Sequence, residues 1–209
     1  MKFLSLLTFV SFALAAPSPR QQTVAGVIAD SVSTLQVATQ ANIVEITQAV
    51  AAIDENTEAD VVAELTAVVR ANFEAIAQAL VQATTSIGAV TSGAVGGVSG
   101  AALGFTRQQV DELKVAIETT TEVIADIGAA VTLTVTDLTP AVQAFVASEV
   151  SAVRTELNPF VDPLVIFGTA VQAATVGASV AISGLNAAVT QLITVRNSLT
   201  ASLGLPLPL

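Results

Sequence analysis

The chain has 209 residues, of which 53% are hydrophobic and 11% charged, and its 17 acidic against 7 basic residues give a formal net charge of −10. This length allows one domain with a sizeable core, and the negative charge argues against nucleic acid or an anionic membrane surface as an electrostatic partner. The sequence contains no histidine and no cysteine, which excludes the usual zinc sites, thiol nucleophiles, Ser-His-Asp triads and haem or iron–sulfur ligand sets. We therefore predict a protein that is not an enzyme and has neither cofactor nor metal.

The first residues predict a secretory signal peptide over residues 1–15. A lysine at position 2 is followed by an apolar run at residues 3–12 and by the small-x-small sequence Ala13-Leu14-Ala15, after which we expect cleavage. The apolar run is too short to span a membrane. We therefore predict a secreted protein, extracellular or in a cell wall, with a flexible leader at residues 16–23 ahead of a helical domain at residues 24–204.

Mostly apolar residues recur every three or four positions along this domain, which places them on one face of an α-helix. In the first predicted helix they are Ile28, Val32, Leu35, Thr39, Ile43, Ile46, Val50 and Ile53. In the second they are Val62, Leu65, Val69, Phe73, Ile76, Leu80, Ala83 and Ile87.

The sequence DENTEAD at residues 54–60 lies between these two helices, and Asn56 or Thr57 is predicted to cap the second. It resembles a calcium loop in its alternating polar residues. Ala59 and Leu65, however, occupy the positions of the glycine and of the bidentate glutamate. An acidic turn is therefore the prediction.

A glycine-rich connector at residues 88–105 is predicted to join the second and third helices and to act as a hinge or lid. The third helix is predicted to start at Thr106, because Gln109 completes a capping box. Its row is Val110, Leu113, Ile117, Thr120, Ile124, Ile127 and Val131. Residues 131–136, VTLTVT, could also form a strand, but a single short strand has nothing to pair with.

Thr139-Pro140 is the start signal of a fourth helix, which is predicted to end at Asn158-Pro159. Its row contains Val142, Phe145, Val146, Val150, Val153 and Leu157. Asp162-Pro163 repeats the start signal, and helical spacing then continues to residue 203, before a tail at 205–209. This last region is predicted to be one helix or two, with a break near Gly177 or Gly184.

Together these elements predict an all-α fold, an antiparallel bundle of four to six long amphipathic helices. The rows contain more Ala, Val, Thr and Gly than Leu and Phe, and small residues fill volume poorly wherever helices separate. We therefore expect an apolar tunnel or an easily opened core. Its candidate ligand-binding residues are Phe73, Ile76, Leu80, Leu113, Ile117, Phe145 and Phe167.

Three further features admit two interpretations each. The charge-free stretches at 75–106 and 163–195 are long enough to cross a membrane, but their Ser, Thr, Gln, Gly and Ala content argues against insertion. Arg196 lies on the apolar row of the last helix, where it could meet a buried carboxylate or the acidic head of a ligand, or extend to solvent. Phe160, next to two prolines, could pack in the core or be exposed.

From VIADSVSTLQ through LNAAVTQLITVRNSLTASL the chain resembles the fungal hydrophobic surface-binding protein A and cell-wall galactomannoprotein family. Members of this family are secreted, cysteine-poor helical proteins of similar length. The resemblance is one of architecture and composition, so no site residue is carried over. It implies a bundle that adsorbs to apolar surfaces or holds a fatty chain. The long glycine-rich connector and the long last helix depart from the family pattern.

The leading functional hypothesis is a secreted, non-enzymatic protein that binds lipid, as fatty acyl chains, or hydrophobic surfaces. Burial of apolar area contributes about 25 cal/mol per Å², so such binding needs no catalytic group. The alternative is a structural or interaction protein of the cell wall or host interface without a small-molecule ligand. A compact and densely filled bundle would favour that alternative.

Overall fold

A computed structural model of the protein describes residues 23–54, 56–92, 105–174 and 179–203, and the regular secondary structure in these ranges is entirely α-helical. The helices are α1 (Val24–Ala51), α2 (Ala59–Ser92), α3 (Arg107–Asp137), α4 (Pro140–Ala174) and α5 (Ser179–Leu203). The prediction of an all-α bundle is confirmed, and residues 131–136 belong to α3 rather than to a strand. The predicted signal peptide, most of the leader and the tail lie outside the described residues.

Two helix starts follow the predicted capping chemistry. At α3, the Gln109 backbone N–H donates to the Thr106 hydroxyl (3.3 Å) and the Thr106 N–H donates to the Gln109 side-chain oxygen (2.8 Å). At α4, Thr139 precedes Pro140, and its carbonyl accepts the first helical bond from Gln143 (2.9 Å). The start of α2 differs: it begins at Ala59, because Thr57 is engaged in the preceding turn, where its hydroxyl donates to Asp54 (2.9 Å).

The predicted boundaries of two other segments are wrong. Helix α2 continues through Gly88 to Ser92, so the first part of the predicted connector is helical, and residues 93–104 lie outside the described residues. Helix α4 does not end at Asn158-Pro159 but contains both Pro159 and Pro163. It ends at Ala174, so the last region is in two pieces, with Gly184 inside α5.

The prolines interrupt the hydrogen-bond ladder of α4, but apolar packing on both sides of them keeps the helix continuous. A proline removes one backbone bond, and in a helix interior it costs about 3 kcal/mol. The residues on the inner face of α4 that are fully or almost fully buried include Leu157, Phe160, Val161, Leu164 and Phe167. Phe160, a candidate for exposure because of these prolines, has 0% exposure, because the continuous helix turns it toward the core.

The helices form a ring whose order differs from their order in the chain. Helix α1 packs against α2 and α3, α2 also packs against α4, and α5 closes the ring between α3 and α4. Along α3 and α5, Gly184 lies beside Lys114 and Leu199 lies beside Gly128, so these two helices run parallel.

Helices α4 and α5 run antiparallel. Gly168 of α4 lies against Val189 of α5, and Asp162, earlier in α4, pairs with Arg196, later in α5. The ring encloses one hydrophobic cluster to which all five helices contribute. None of the described helices is long and apolar enough to cross a membrane.

Candidate functional site

Six of the seven predicted ligand-binding residues lie in the core, and one does not. Each of the six has 0% exposure and belongs to the central cluster: Phe73, Ile76, Leu80, Leu113, Ile117 and Phe167. Phe145, by contrast, is 67% exposed on α4. Its neighbour Val146 is 2% exposed, and since consecutive helical residues are about 100° apart, the core face of α4 accommodates only one of them.

The six core residues pack against neighbouring side chains. The ring of Phe167 meets that of Phe105 edge to face, with centroids 5.4 Å apart. A side chain that lines a water-sized void has accessible surface on that void, and these six have none. No preformed tunnel therefore touches them, and a ligand would reach them only if the helices separate.

Polar groups within the core are mostly bonded inside their own helices. Five threonines with 7% exposure or less donate their hydroxyls to the carbonyl four residues earlier: Thr66, Thr91, Thr120, Thr121 and Thr134. Asn72 likewise donates to the Val68 carbonyl (2.9 Å), and also to Glu45 of α1 (3.1 Å). The threonine hydroxyls therefore contribute little to holding one helix against another, whereas Asn72 links α2 to α1.

An open groove of about 710 Å³ lies between α2 and α4, outside the core. Its apolar surface comes from Ala77, Val81 and Ala152, and its carboxylates come from Glu74, Glu149 and Glu156, with two glutamines and a serine completing the lining. Sequence analysis did not find this groove, because it forms between helices that are not consecutive in the chain.

An ion pair crosses one part of the groove. The Arg70 guanidinium donates from Nε and Nη2 to Glu149 Oε1 (2.9 and 2.6 Å), and the Ser148 hydroxyl donates to Oε2 (2.7 Å). Burial tends to raise the pKa of Glu149, but the hydrogen bonds from Arg70 and Ser148 outweigh it, so the pKa lies below its usual range.

The lowered pKa of Glu149 predicts an acid-sensitive contribution to stability. Because the folded-state pKa is below the unfolded one, the contribution is complete above the unfolded pKa of about 4.3 and is lost as the pH falls through the folded value. We expect the stability difference between the wild-type chain and Glu149→Gln to shrink from about pH 6 to about pH 3. Urea unfolding followed by far-UV circular dichroism measures it, and a difference that is constant over this range would contradict the prediction.

The other polar positions singled out in the sequence lie at the surface. Arg196 donates to Asp162 (2.6 Å), whose side chain is 55% exposed, so this carboxylate is not a buried partner. In the acidic turn, hydrogen bonds from the Thr57 hydroxyl and the Asn56 N–H lower the pKa of Asp54. Within the described residues, no group of three or more acidic side chains is arranged to hold a metal ion.

Comparison of the chain with protein-family models, curated proteins and solved structures finds no match. The resemblance to the hydrophobic surface-binding family therefore stays a prediction, and the function is inferred from the geometry of this chain.

Proposed function

We propose that the protein is a secreted, non-enzymatic helical bundle that binds acyl chains or apolar surfaces by separating its helices and presenting the rows that form its core. The observation that carries this proposal is that five of the six buried threonines in the described residues donate their hydroxyls within their own helices, with Thr39 as the exception. The signal-peptide pattern of residues 1–15 supports secretion.

Opening the bundle affects its hydrogen bonds and its apolar contacts differently. A hydrogen bond between helices would be lost on opening, at about 0.5–1.5 kcal/mol each. The hydroxyls of these five threonines keep their partners instead, because donor and acceptor move together. The free energy of apolar burial is non-directional and contributes about 25 cal/mol per Å². An acyl chain or an apolar surface can therefore replace a neighbouring helix.

The chain connections favour one way of opening. Helices α1 and α2 are joined by the short turn after Ala51, and α3 and α4 are joined through Leu138 and Thr139. The Gln143 amide strengthens this second turn by donating to the carbonyls of Val135 (2.6 Å) and Leu138 (2.7 Å). In the sequence, 14 residues (93–106) separate α2 from α3, more than separate any other two consecutive helices. Separation of the α1–α2 pair from the other three helices therefore breaks no short turn.

A cross-link between α2 and α4 tests this mechanism. The chain has no cysteine, so the double variant Arg70→Cys/Glu149→Cys carries only the two introduced thiols. In the wild-type chain Arg70 Nη2 lies 2.6 Å from Glu149 Oε1. We expect a short bismaleimide to join the two groups of helices. The linked protein should lose most of its adsorption to octyl-coated beads and most of its co-extracted fatty acid.

Two controls isolate the effect of opening. The same variant capped with a monofunctional maleimide should adsorb like the wild-type chain. A cross-link in Glu45→Cys/Asn72→Cys joins α1 to α2. In the wild-type chain Asn72 Nδ2 donates to Glu45 Oε2 at 3.1 Å, and because these helices stay together on opening, this cross-link should leave adsorption unchanged. Equal adsorption by the α2–α4 cross-linked protein would refute the opening mechanism.

The second candidate is a structural or interaction protein of the cell wall or host interface without a small-molecule ligand. The observation that favours it is the 0% exposure of the six core residues named above, which is the dense filling expected of a scaffold. Failure of the uncross-linked protein both to adsorb to beads and to retain fatty acid would support this candidate over the first.

A further inference from the structure

The groove between α2 and α4 combines an apolar floor with acidic walls, and neither feature is used by the opening mechanism. We propose that it binds a single-chain cationic amphiphile. The alkyl chain would lie along Ala77, Val81 and Ala152, and the ammonium head would lie at Glu156, about two helical turns beyond Glu149 on α4. This site needs the bundle closed, since its two walls belong to different helices.

The charges of the groove favour a cation. Three carboxylates line it, and one of them, Glu149, is paired with Arg70, so among the described residues two carboxylates of the lining are in no ion pair. Arg70 is hydrogen-bonded to Glu149 and also interacts electrostatically with Glu74. In the described part of the chain, no ion pair engages Glu156, which leaves this carboxylate for a ligand.

The shape of the groove favours an elongated apolar stem. Its volume of about 710 Å³ lies within the range of roughly 300–1,000 Å³ that is common for small-molecule sites. Glu74, Gln78 and Gln82 occupy successive turns of α2 along one wall, a length of about 12 Å at 1.5 Å per residue. The alanines at 77 and 152 leave room that larger side chains would fill.

A fatty acid meets like charge in the groove, whose lining contains three glutamates. The groove therefore differs in selectivity from the opened core.

Isothermal titration of the full chain with three probes tests the proposal. Dodecyltrimethylammonium, below its micelle concentration, should bind saturably, and more weakly as salt rises, because exposed charges are screened. Dodecyl sulfate has the same chain with the opposite charge, and tetramethylammonium has the head without the chain, so both should bind at least about tenfold more weakly. Equal binding of dodecyl sulfate that is lost in Ala152→Phe would refute the proposal, because the groove would then accept either charge.

Variants locate the site. Glu156→Gln should weaken the binding of dodecyltrimethylammonium about threefold, the size expected for one exposed ion pair. Glu122→Gln makes the same charge change at an exposed position of α3 and should have no effect. Ala152→Phe fills the groove at an exposed position and should abolish binding with unchanged far-UV circular dichroism. Undiminished binding to Ala152→Phe would overturn the assignment, whereas bead adsorption by the same variant tests the opening mechanism separately.

Discussion

Replacement of Phe167 by alanine is expected to lower the free energy of unfolding by about 3–5 kcal/mol. The ring has 0% exposure and meets Phe105 edge to face, so its removal leaves a cavity and ends an aromatic contact. The next residue, Gly168, lies close to Val189 and Ile117, and helices in close contact at this point cannot collapse easily into the space. Urea unfolding followed by far-UV circular dichroism measures the loss.

Phe145→Ala on the same helix is the matched control. With 67% of the ring exposed, its removal should change the free energy of unfolding by no more than about 0.5 kcal/mol. The two variants remove the same atoms, so the difference between them reports burial. Comparable losses in both would show that the helix faces of α4 are assigned wrongly.

This pair also shows what periodicity can predict. Every member of the predicted α3 row, from Val110 to Val131, is buried, because strict three-four spacing leaves one interpretation. The buried face is wider than this row and also includes Ala116, Thr121, Val123, Ala130 and Thr134. In α4, Phe145 and Val146 both fit the row, and only packing against α2 and α5 decides which of them faces inward. A pattern identifies the presence of an apolar face more securely than its edge.

Local signals were less reliable where tertiary packing opposed them. Pro159 and Pro163 are helix-ending residues by their backbone chemistry. The burial of Phe160, Leu164 and Phe167 on the same face depends on a continuous α4, and this apolar burial offsets the missing hydrogen bonds. Since the partners of these residues come from other helices, the sequence of α4 alone could not show the outcome.

The groove could not be predicted at all. Its carboxylates on α2 and α4 are about 75 residues apart in the chain, and each resembles an ordinary solvated glutamate on a helix. They meet because α2 packs against α4 in the ring. The order of helices in a bundle depends on how their rows match in shape, and composition does not reveal it.

Gly168→Ala is expected to destabilise the protein by about 1–3 kcal/mol, although alanine is the better helix former. A Cβ at this position would lie 2.8 Å from Val189 Cγ2 and 3.3 Å from Ile117 Cδ1. Both neighbours are buried, at 4% and 0% exposure, and Val189 is β-branched, so neither can move away without disturbing the core. The overpacking therefore outweighs the gain in helix propensity.

Gly88→Ala provides the opposite expectation from the same substitution. In α2, nothing lies within 4 Å of a Cβ built at Gly88, so only helix propensity acts and stability should rise by up to about 1 kcal/mol.

Val189→Ala in the Gly168→Ala background should recover part of the loss of stability, because it removes the methyl group nearest to the added Cβ. Chemical unfolding of the three variants measures these changes, and a stabilising effect at both glycines would mean that α4 and α5 do not pack as closely as the 2.8 Å approach implies.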